Sequence, residues 1–148
     1  MAPPDLTKTL PCEQTIGYYF QDINLLWQAL QTDGSPNCPT DDPFYEMGNK
    51  RLAVVGHLAL DLLIASVWYP TRDSCAVLDS SRSETLSETS LDQVAQRNEL
   101  YRHIIRRPGT LFGVETLSAA VAAIVGAAYL DGGMTAVERV VQKLGIVS

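Results

Sequence analysis

Residues 118–133 read Ser118-Ala119-Ala120-Val121-Ala122-Ala123-Ile124-Val125-Gly126-Ala127-Ala128-Tyr129-Leu130-Asp131-Gly132-Gly133. Small and apolar side chains follow one another without a charge as far as Asp131, which predicts an apolar, alanine-rich helix over residues 117–130. Gly132 and Gly133 stand in the position favoured for a C-terminal cap, so we expect the helix to end there. Side chains this small would let another helix approach closely.

A second long helix is predicted over residues 49–68, because Pro70 stops the apolar run. Its first part reads Asn49-Lys50-Arg51-Leu52-Ala53-Val54-Val55-Gly56-His57-Leu58-Ala59-Leu60. Positions 50, 53, 57 and 61 step by three or four residues, so they share one stripe of this helix. Positions 119 and 122 share a stripe of the later helix in the same way.

Other parts of the chain also show helical spacing. Asp22 is placed to cap a helix that runs to Leu30, and apolar residues recur at helical intervals over residues 91–105. A short helix is predicted within residues 77–81, and residues 136–144 close the chain. The proline-rich segment 33–43 is expected to be a loop. Since no alternating apolar and polar run predicts a strand, the fold class is all-α.

The length of 148 residues and the 46% hydrophobic content suffice for one domain, without room for a second of ordinary size. Residues 1–14 are proline-rich with few apolar anchors, so we expect a flexible N-terminal arm before a domain at 15–148. There is no secretory signal, transit peptide or uninterrupted membrane span, and the three cysteines form no C-x-x-C pair. These features predict a cytoplasmic protein without a membrane partner.

The two long stretches resemble the signature helices of the ribonuclease III domain family, approximately N-E-R-L-E-F-L-G-D-A-x-L and A-D-x-x-E-A-x-x-G-A-x-Y-L-D-G-G. Residues 16–30 are similar to the family's opening L-G-Y-x-F-x-D-x-x-L-L-x-x-A-L, and the resemblance covers about residues 16–144. It implies the ribonuclease III endonuclease-domain fold, a dimeric helical bundle. The implied partner is a second copy of the chain, in a symmetric homodimer through Val54, Val55 and Leu58.

The family's acidic positions hold other residues in this chain. Where the family has Glu, Glu, Asp, Asp and Glu, the sequence has Lys50, Ala53, His57, Ala119 and Ala122. In the family these carboxylates hold magnesium ions that activate water for cleavage of double-stranded RNA. Alanine supplies no oxygen ligand, and Lys50 and a protonated His57 repel a cation. We therefore expect no metal, no cofactor and no cleavage of double-stranded RNA.

The altered positions suggest a pocket for a small organic molecule. In this hypothesis His57 is the catalytic acid or base, Lys50 contacts an anion, and Asp61 orients the imidazole from four residues away. The former metal cleft would be lined by Ala53, Ala119 and Ala122. The alternative is that these small residues only let two helices pack closely, with His57 as a buried, hydrogen-bonded filler.

A second hypothesis for function is a non-catalytic scaffold subunit of an RNA-processing or mitochondrial ribosomal assembly. The retained fold pattern favours it, whereas the net charge of −6 does not, because ribosomal partners are usually basic. The same charge repels polyanions on average, so we do not expect a nucleic-acid partner. The one dense basic run, residues 101–107, is either a solvated helix face and terminus or a phosphate contact.

Overall fold

The computed structural model describes residues 1–147 and contains helices joined by loops. The helices are α1 (Leu6–Ile16), α2 (Ile23–Ala29), α3 (Lys50–Trp68), α4 (Cys75–Leu86), α5 (Glu88–Arg97) and α6 (Val114–Leu144), with a 3₁₀ turn at Leu100–Arg102. Within the described residues, β-type pairing is confined to an isolated bridge between Gln31 and Ile105. The prediction of an all-α fold is confirmed.

Helix α6 is the core helix, and α3 packs directly on it. All nine residues from Ala120 to Ala128 are buried, six of them alanine or glycine. A methyl group on Gly56 would overlap the carbonyl oxygen of Ala122, and one on Gly126 would overlap the carbonyl oxygen of Leu52. The two backbones therefore touch at these glycines, which explains why this part of α6 is built from small side chains.

The span α6 consists of two helical segments that meet at Gly133, and the second segment continues to Leu144. Gly133 itself has non-helical backbone angles, φ 70° and ψ −162°, so the helix end predicted at Gly132 and Gly133 is confirmed as a break within α6. Only glycine adopts that combination readily. Beside the kink, the carboxylate of Asp131 accepts hydrogen bonds from the Tyr18 hydroxyl at 2.6 Å and from the backbone N–H groups of Gln21 and Asp22 at 2.9 and 2.8 Å.

These bonds fix the loop that joins α1 to α2. Burial raises the pKa of the Asp131 carboxyl, but the three hydrogen bonds to its charged form outweigh burial and leave the pKa below its ordinary value. Asp22 in turn caps α2, as predicted, because its side chain accepts from the Asn24 N–H at 3.1 Å.

The N-terminal segment forms a helix, whereas a flexible arm was expected over residues 1–14. Asp5 caps α1 by accepting from the Thr7 N–H at 2.9 Å, and Cys12 and Ile16 are completely buried. Pro11 lies inside this helix and hid its spacing in the sequence. The boundary predicted before residue 15 therefore falls within α1, and Ser148, the last residue of the predicted domain, lies outside the described residues.

The polar region after α3 is more helical than expected. Helix α4 begins at Cys75, with Ser74 as its cap, and is longer than the predicted segment 77–81, although none of its side chains is buried. Helix α5 ends at Arg97, well before residue 105, because Glu99 takes a left-handed conformation with φ 53°. A residue in that conformation ends the helical hydrogen-bond pattern.

Helices α3 and α6 each have the length and hydropathy of a membrane span, with 39% and 61% of the most apolar window buried. Core helices of globular proteins share this property, and the contact between α3 and α6 accounts for the buried share. The remaining exposed share of α3 is an apolar face that includes Val54, Leu58 and Leu62.

Replacing Gly56 by alanine is expected to lower the free energy of unfolding by about 3 kcal/mol or to prevent folding, because the new methyl group meets backbone that cannot move without opening the core. Chemical denaturation followed by circular dichroism measures the change. Gly113→Ala is the matched control, since Gly113 faces open space and the cost there should stay below about 1 kcal/mol. Equal losses in the two variants would contradict the close contact of α3 and α6.

Candidate functional site

A cleft of about 440 Å³ lies where helices α3, α5 and α6 begin. Lys50 and Glu88 are the first residues of α3 and α5, and Glu115 belongs to the first turn of α6. The cleft is lined by Thr32, Asp33, Asn49, Lys50, His57, Glu88, Arg106, Arg107, Thr110, Leu111, Glu115, Thr116, Ser118 and Ala119. Most of these side chains are polar or charged, so the cleft is suited to a polar ligand.

Two loops are held together at one side of this cleft. The Ile105 N–H donates to the Leu30 carbonyl at 2.8 Å, and the Thr32 N–H donates to the Ile105 carbonyl at 2.9 Å. The Thr32 hydroxyl donates to the same carbonyl at 3.1 Å. These bonds place Arg106 and Arg107, which follow Ile105, beside the segment that carries Asp33.

The cleft gathers three of the chain's eleven lysine and arginine residues. The Nζ of Lys50 lies 3.2 Å from a carboxylate oxygen of Asp33. The side chain of Arg107 lies next to Gly34, and the Arg106 guanidinium lies 4.8 Å from the centre of the Phe112 ring. The acids Asp33, Glu88 and Glu115 balance these cations, so the cleft is locally near neutral in a chain of net charge −6.

The residues that the sequence predicted for a site divide into two groups. Lys50, His57 and Ala119 line the cleft, and the side chains of Lys50 and His57 are exposed. Ala53 and Ala122 do not line it, because they are 7% and 0% exposed and lie at the contact between α3 and α6. Close packing of α3 against α6 therefore explains these two alanines. It does not explain His57, because the His57 side chain is exposed and is not buried between the helices.

Asp61 does not orient His57, and its carboxylate instead binds Arg82 of α4. The Arg82 Nε and Nη2 atoms donate to the two Asp61 oxygens at 2.5 and 2.7 Å. The hydrogen bond from Arg82 holds the pKa of Asp61 below its ordinary value, against a smaller opposing effect of burial. Asp61 thus attaches α4 to α3, a pairing over 21 residues that helical spacing alone cannot reveal.

The basic run at residues 101–107 has members with different roles. His103 is buried with its Nε2 3.5 Å from the Thr15 hydroxyl, and burial lowers its pKa, helped by the charges of Lys8 and Arg102. Arg102 pairs with Glu99 at 3.0 Å. Only Arg106 and Arg107 reach the cleft. The dense positive charge of the sequence indicated the segment that supplies cations to the cleft. The backbone hydrogen bonds of Ile105 with Leu30 and Thr32 determine which of its residues reach the cleft.

The donors in the cleft do not fit a magnesium ion. This cation requires several oxygen ligands in octahedral geometry. Among residues 1–147, no three His, Cys, Asp or Glu side chains are grouped so that they could hold a metal ion. The side chain of Lys50 brings a positive charge to the same cleft. The cleft offers three cations beside three acids, and in His57 an imidazole that can move a proton.

Comparison with known proteins gives a consistent result. A family model described as Ribonuclease-III-like matches residues 22–147. The Ribonuclease 3 of Xylella fastidiosa (strain M12) is 34% identical over 143 residues, and that of Caldanaerobacter subterraneus is 31% identical over 139 residues. These alignments cover 91% and 89% of this chain but only 59% and 60% of the relatives, so the chain spans about three fifths of their length.

A solved structure gives the same fold. The nuclease domain of ribonuclease III from Campylobacter jejuni, described for flexibility in a region involved in dimer formation, matches with a TM-score of 0.77 and 25% identity over 95% of each chain. The fold implied by the sequence resemblance is therefore confirmed.

The functional expectations from the sequence are contradicted by these relatives. We expected either a protein converted to small-molecule chemistry or a non-catalytic scaffold without ribonuclease activity. The relatives that are 31–34% identical over about nine tenths of the chain are instead each a Ribonuclease 3. Both expectations rested on the changed acidic positions. They gave no weight to the cations that the fold brings to the same cleft.

Ala122 and Ala119 should respond differently to the same substitution. Ala122→Leu is expected to lower the free energy of unfolding by about 1–3 kcal/mol, because Ala122 is completely buried at the contact with α3. Ala119→Leu should cost less than about 1 kcal/mol, because the longer side chain can extend into the cleft. Denaturant unfolding of both variants makes the comparison. The opposite order of stability would show that the cleft and the helix contact are wrongly assigned.

Proposed function

Since the chain belongs to the ribonuclease-III-like family, we propose that it acts on double-stranded RNA and binds the sugar–phosphate backbone in the cleft at the start of α3, α5 and α6. The observation that carries this proposal is the gathering of Lys50, Arg106 and Arg107 in one cleft beside the core helices of the fold. Phosphate contacts from lysine and arginine supply most of the affinity for duplex nucleic acid.

The net charge of −6, from which we expected no nucleic-acid partner, opposes RNA binding less strongly than that expectation assumed. At physiological ionic strength, interactions between exposed charges are screened beyond about 8 Å. A phosphate in the cleft therefore responds mainly to Lys50, Arg106, Arg107 and the three acids beside them, while the remaining acids of the chain are largely screened. The local arrangement of charge, more than the average, sets the affinity for RNA.

His57 is the cleft residue that we assign to proton transfer at the phosphodiester. Imidazole is the side chain whose charge ordinarily changes between pH 5 and 8, and His57 lines the same cleft as the cations. The cations would stabilise the negative charge that develops on the phosphate oxygens during cleavage. Magnesium is given no part in this step, because the residues of the cleft do not fit it.

The exposed apolar face of α3 supports a homodimer. Val54, Leu58 and Leu62 follow one another at intervals of four residues and are 61%, 65% and 56% exposed, while Val55, a predicted contact, is half-buried. Large exposed apolar patches are typical of interfaces, and a two-fold axis would bring two copies of this face together. The related domain from Campylobacter jejuni has a region involved in dimer formation.

Reversing cleft charges is expected to weaken RNA binding. Arg107→Glu should raise the Kd for a labelled RNA duplex by about tenfold or more, because a charge-assisted contact is replaced by repulsion. Each lost phosphate contact should also reduce the slope of log K against log salt by about 1. Fluorescence anisotropy measures both quantities. Arg72→Glu is the matched control, since Arg72 is exposed beyond the other end of α3.

Incubation of the same labelled RNA duplex with each variant, followed on denaturing gels, tests the role of His57. His57→Ala should slow any cleavage by about 10²- to 10⁴-fold without changing the Kd to the same extent. Failure of the parent chain to bind duplex RNA, or an equal loss of affinity in Arg72→Glu, would contradict the proposal.

The dimer has its own test. Leu58→Glu should shift the protein from dimer to monomer at micromolar concentration, because it places a charge in the middle of the apolar face of α3. Leu6→Glu is the matched control, since Leu6 is also 65% exposed but lies on α1. Sedimentation velocity distinguishes the species. A parent chain that is already monomeric, or dissociation caused equally by both variants, would exclude this face as the interface.

A further inference from the structure

We propose that the cleft is an anion site that holds a phosphoryl group directly through Lys50, Arg106 and Arg107, at the place where the family's carboxylates hold a divalent cation. The inference rests on the proposed function for its physiological ligand, an RNA phosphate. Its chemistry is shared by inorganic phosphate, which provides a simple probe.

The first support is the placement of the cations. The Arg106 guanidinium lies 4.8 Å from the centre of the Phe112 ring, and the side chain of Arg107 lies next to Gly34, so both exposed arginines border the cleft. Arginine presents its N–H donors in a planar fork that matches two oxygens of a phosphate. Lys50 adds a third positive charge at the first turn of α3.

The second support is the way the helices begin. Helices α1, α2, α4 and α5 each start with a side chain that accepts a backbone N–H, whereas α3 and α6, which both open on the cleft, have no side-chain cap. The Asn49 side chain donates to the Ala29 carbonyl at 3.0 Å, and the residue before α6 is Gly113. The first N–H of α3, that of Lys50, donates to the Met47 carbonyl at 3.3 Å, so what these helix starts contribute is the partial positive charge of the helix dipole, which adds to the attraction for an anion.

The third support is that Lys50 has only a weak competing partner. Its ion pair with Asp33 is about half exposed on both sides, at 50% and 54%, and exposed pairs of this kind contribute little. A phosphate can therefore displace Asp33 from Lys50. The carboxylates of Asp33, Glu88 and Glu115 oppose the anion, so free phosphate should bind weakly and removal of one carboxylate should strengthen binding.

Titration calorimetry with inorganic phosphate, in a chelator and without divalent cations, tests the inference on the full chain. Arg107→Gln is expected to weaken phosphate binding by about tenfold. Asp33→Asn is expected to strengthen it, because Lys50 loses its competing acceptor and the cleft loses a negative charge. Arg72→Gln and Asp73→Asn, both in the exposed loop after α3, are the matched controls and should leave the Kd unchanged.

Competition experiments separate this inference from the proposed function. Inorganic phosphate should displace labelled duplex RNA from the parent chain. The inhibition constant of phosphate, corrected for the RNA affinity of each variant, should be lower for Asp33→Asn than for the parent chain. Absence of phosphate binding alongside intact RNA binding would overturn the anion site and leave the proposed function standing. Phosphate binding that no cleft variant alters, or a magnesium ion bound in preference to phosphate, would also overturn it.

Discussion

The direct contact between the backbones of α3 and α6 is the constraint on which the rest of the structure depends. Gly56 and Gly126 each leave no room for a side chain, and the small residues of α6 extend this contact through the core. Because the two helices are fixed against each other, the first turns that carry Lys50 and Glu115 line one cleft. Loss of this contact would separate the helices and remove the cleft together with the fold.

The helices themselves could be predicted largely from the sequence. Pro70 ends α3 and Asp22 caps α2, and both signals are local. Local signals failed where distant contacts decide. Pro11 hid α1, whose buried side chains Cys12 and Ile16 hold it in place. The glycine pair at 132–133, by contrast, correctly indicated the break within α6.

The site was predicted only in part, for the same physical reason. Spacing along α3 placed Lys50 and His57 on one stripe, and both line the cleft. Spacing also suggested a partnership of His57 with Asp61, but an arginine 21 residues away gives Asp61 two charge-assisted hydrogen bonds. The positions of Arg106 and Arg107 depend on a backbone bridge between distant loops, which no pattern in the sequence indicates.

In the proposed site the ligand is chosen by the charges that line the cleft. Lysine and arginine side chains can bind a phosphate directly, even with three carboxylates beside them, whereas a site made of carboxylates alone attracts a cation that then binds the phosphate. A crystal structure of the chain with a short RNA duplex tests this claim most directly. A backbone phosphate is expected within hydrogen-bonding distance of Lys50, Arg106 or Arg107. A duplex bound on another surface, or a metal ion between the cleft and the phosphate, would contradict it.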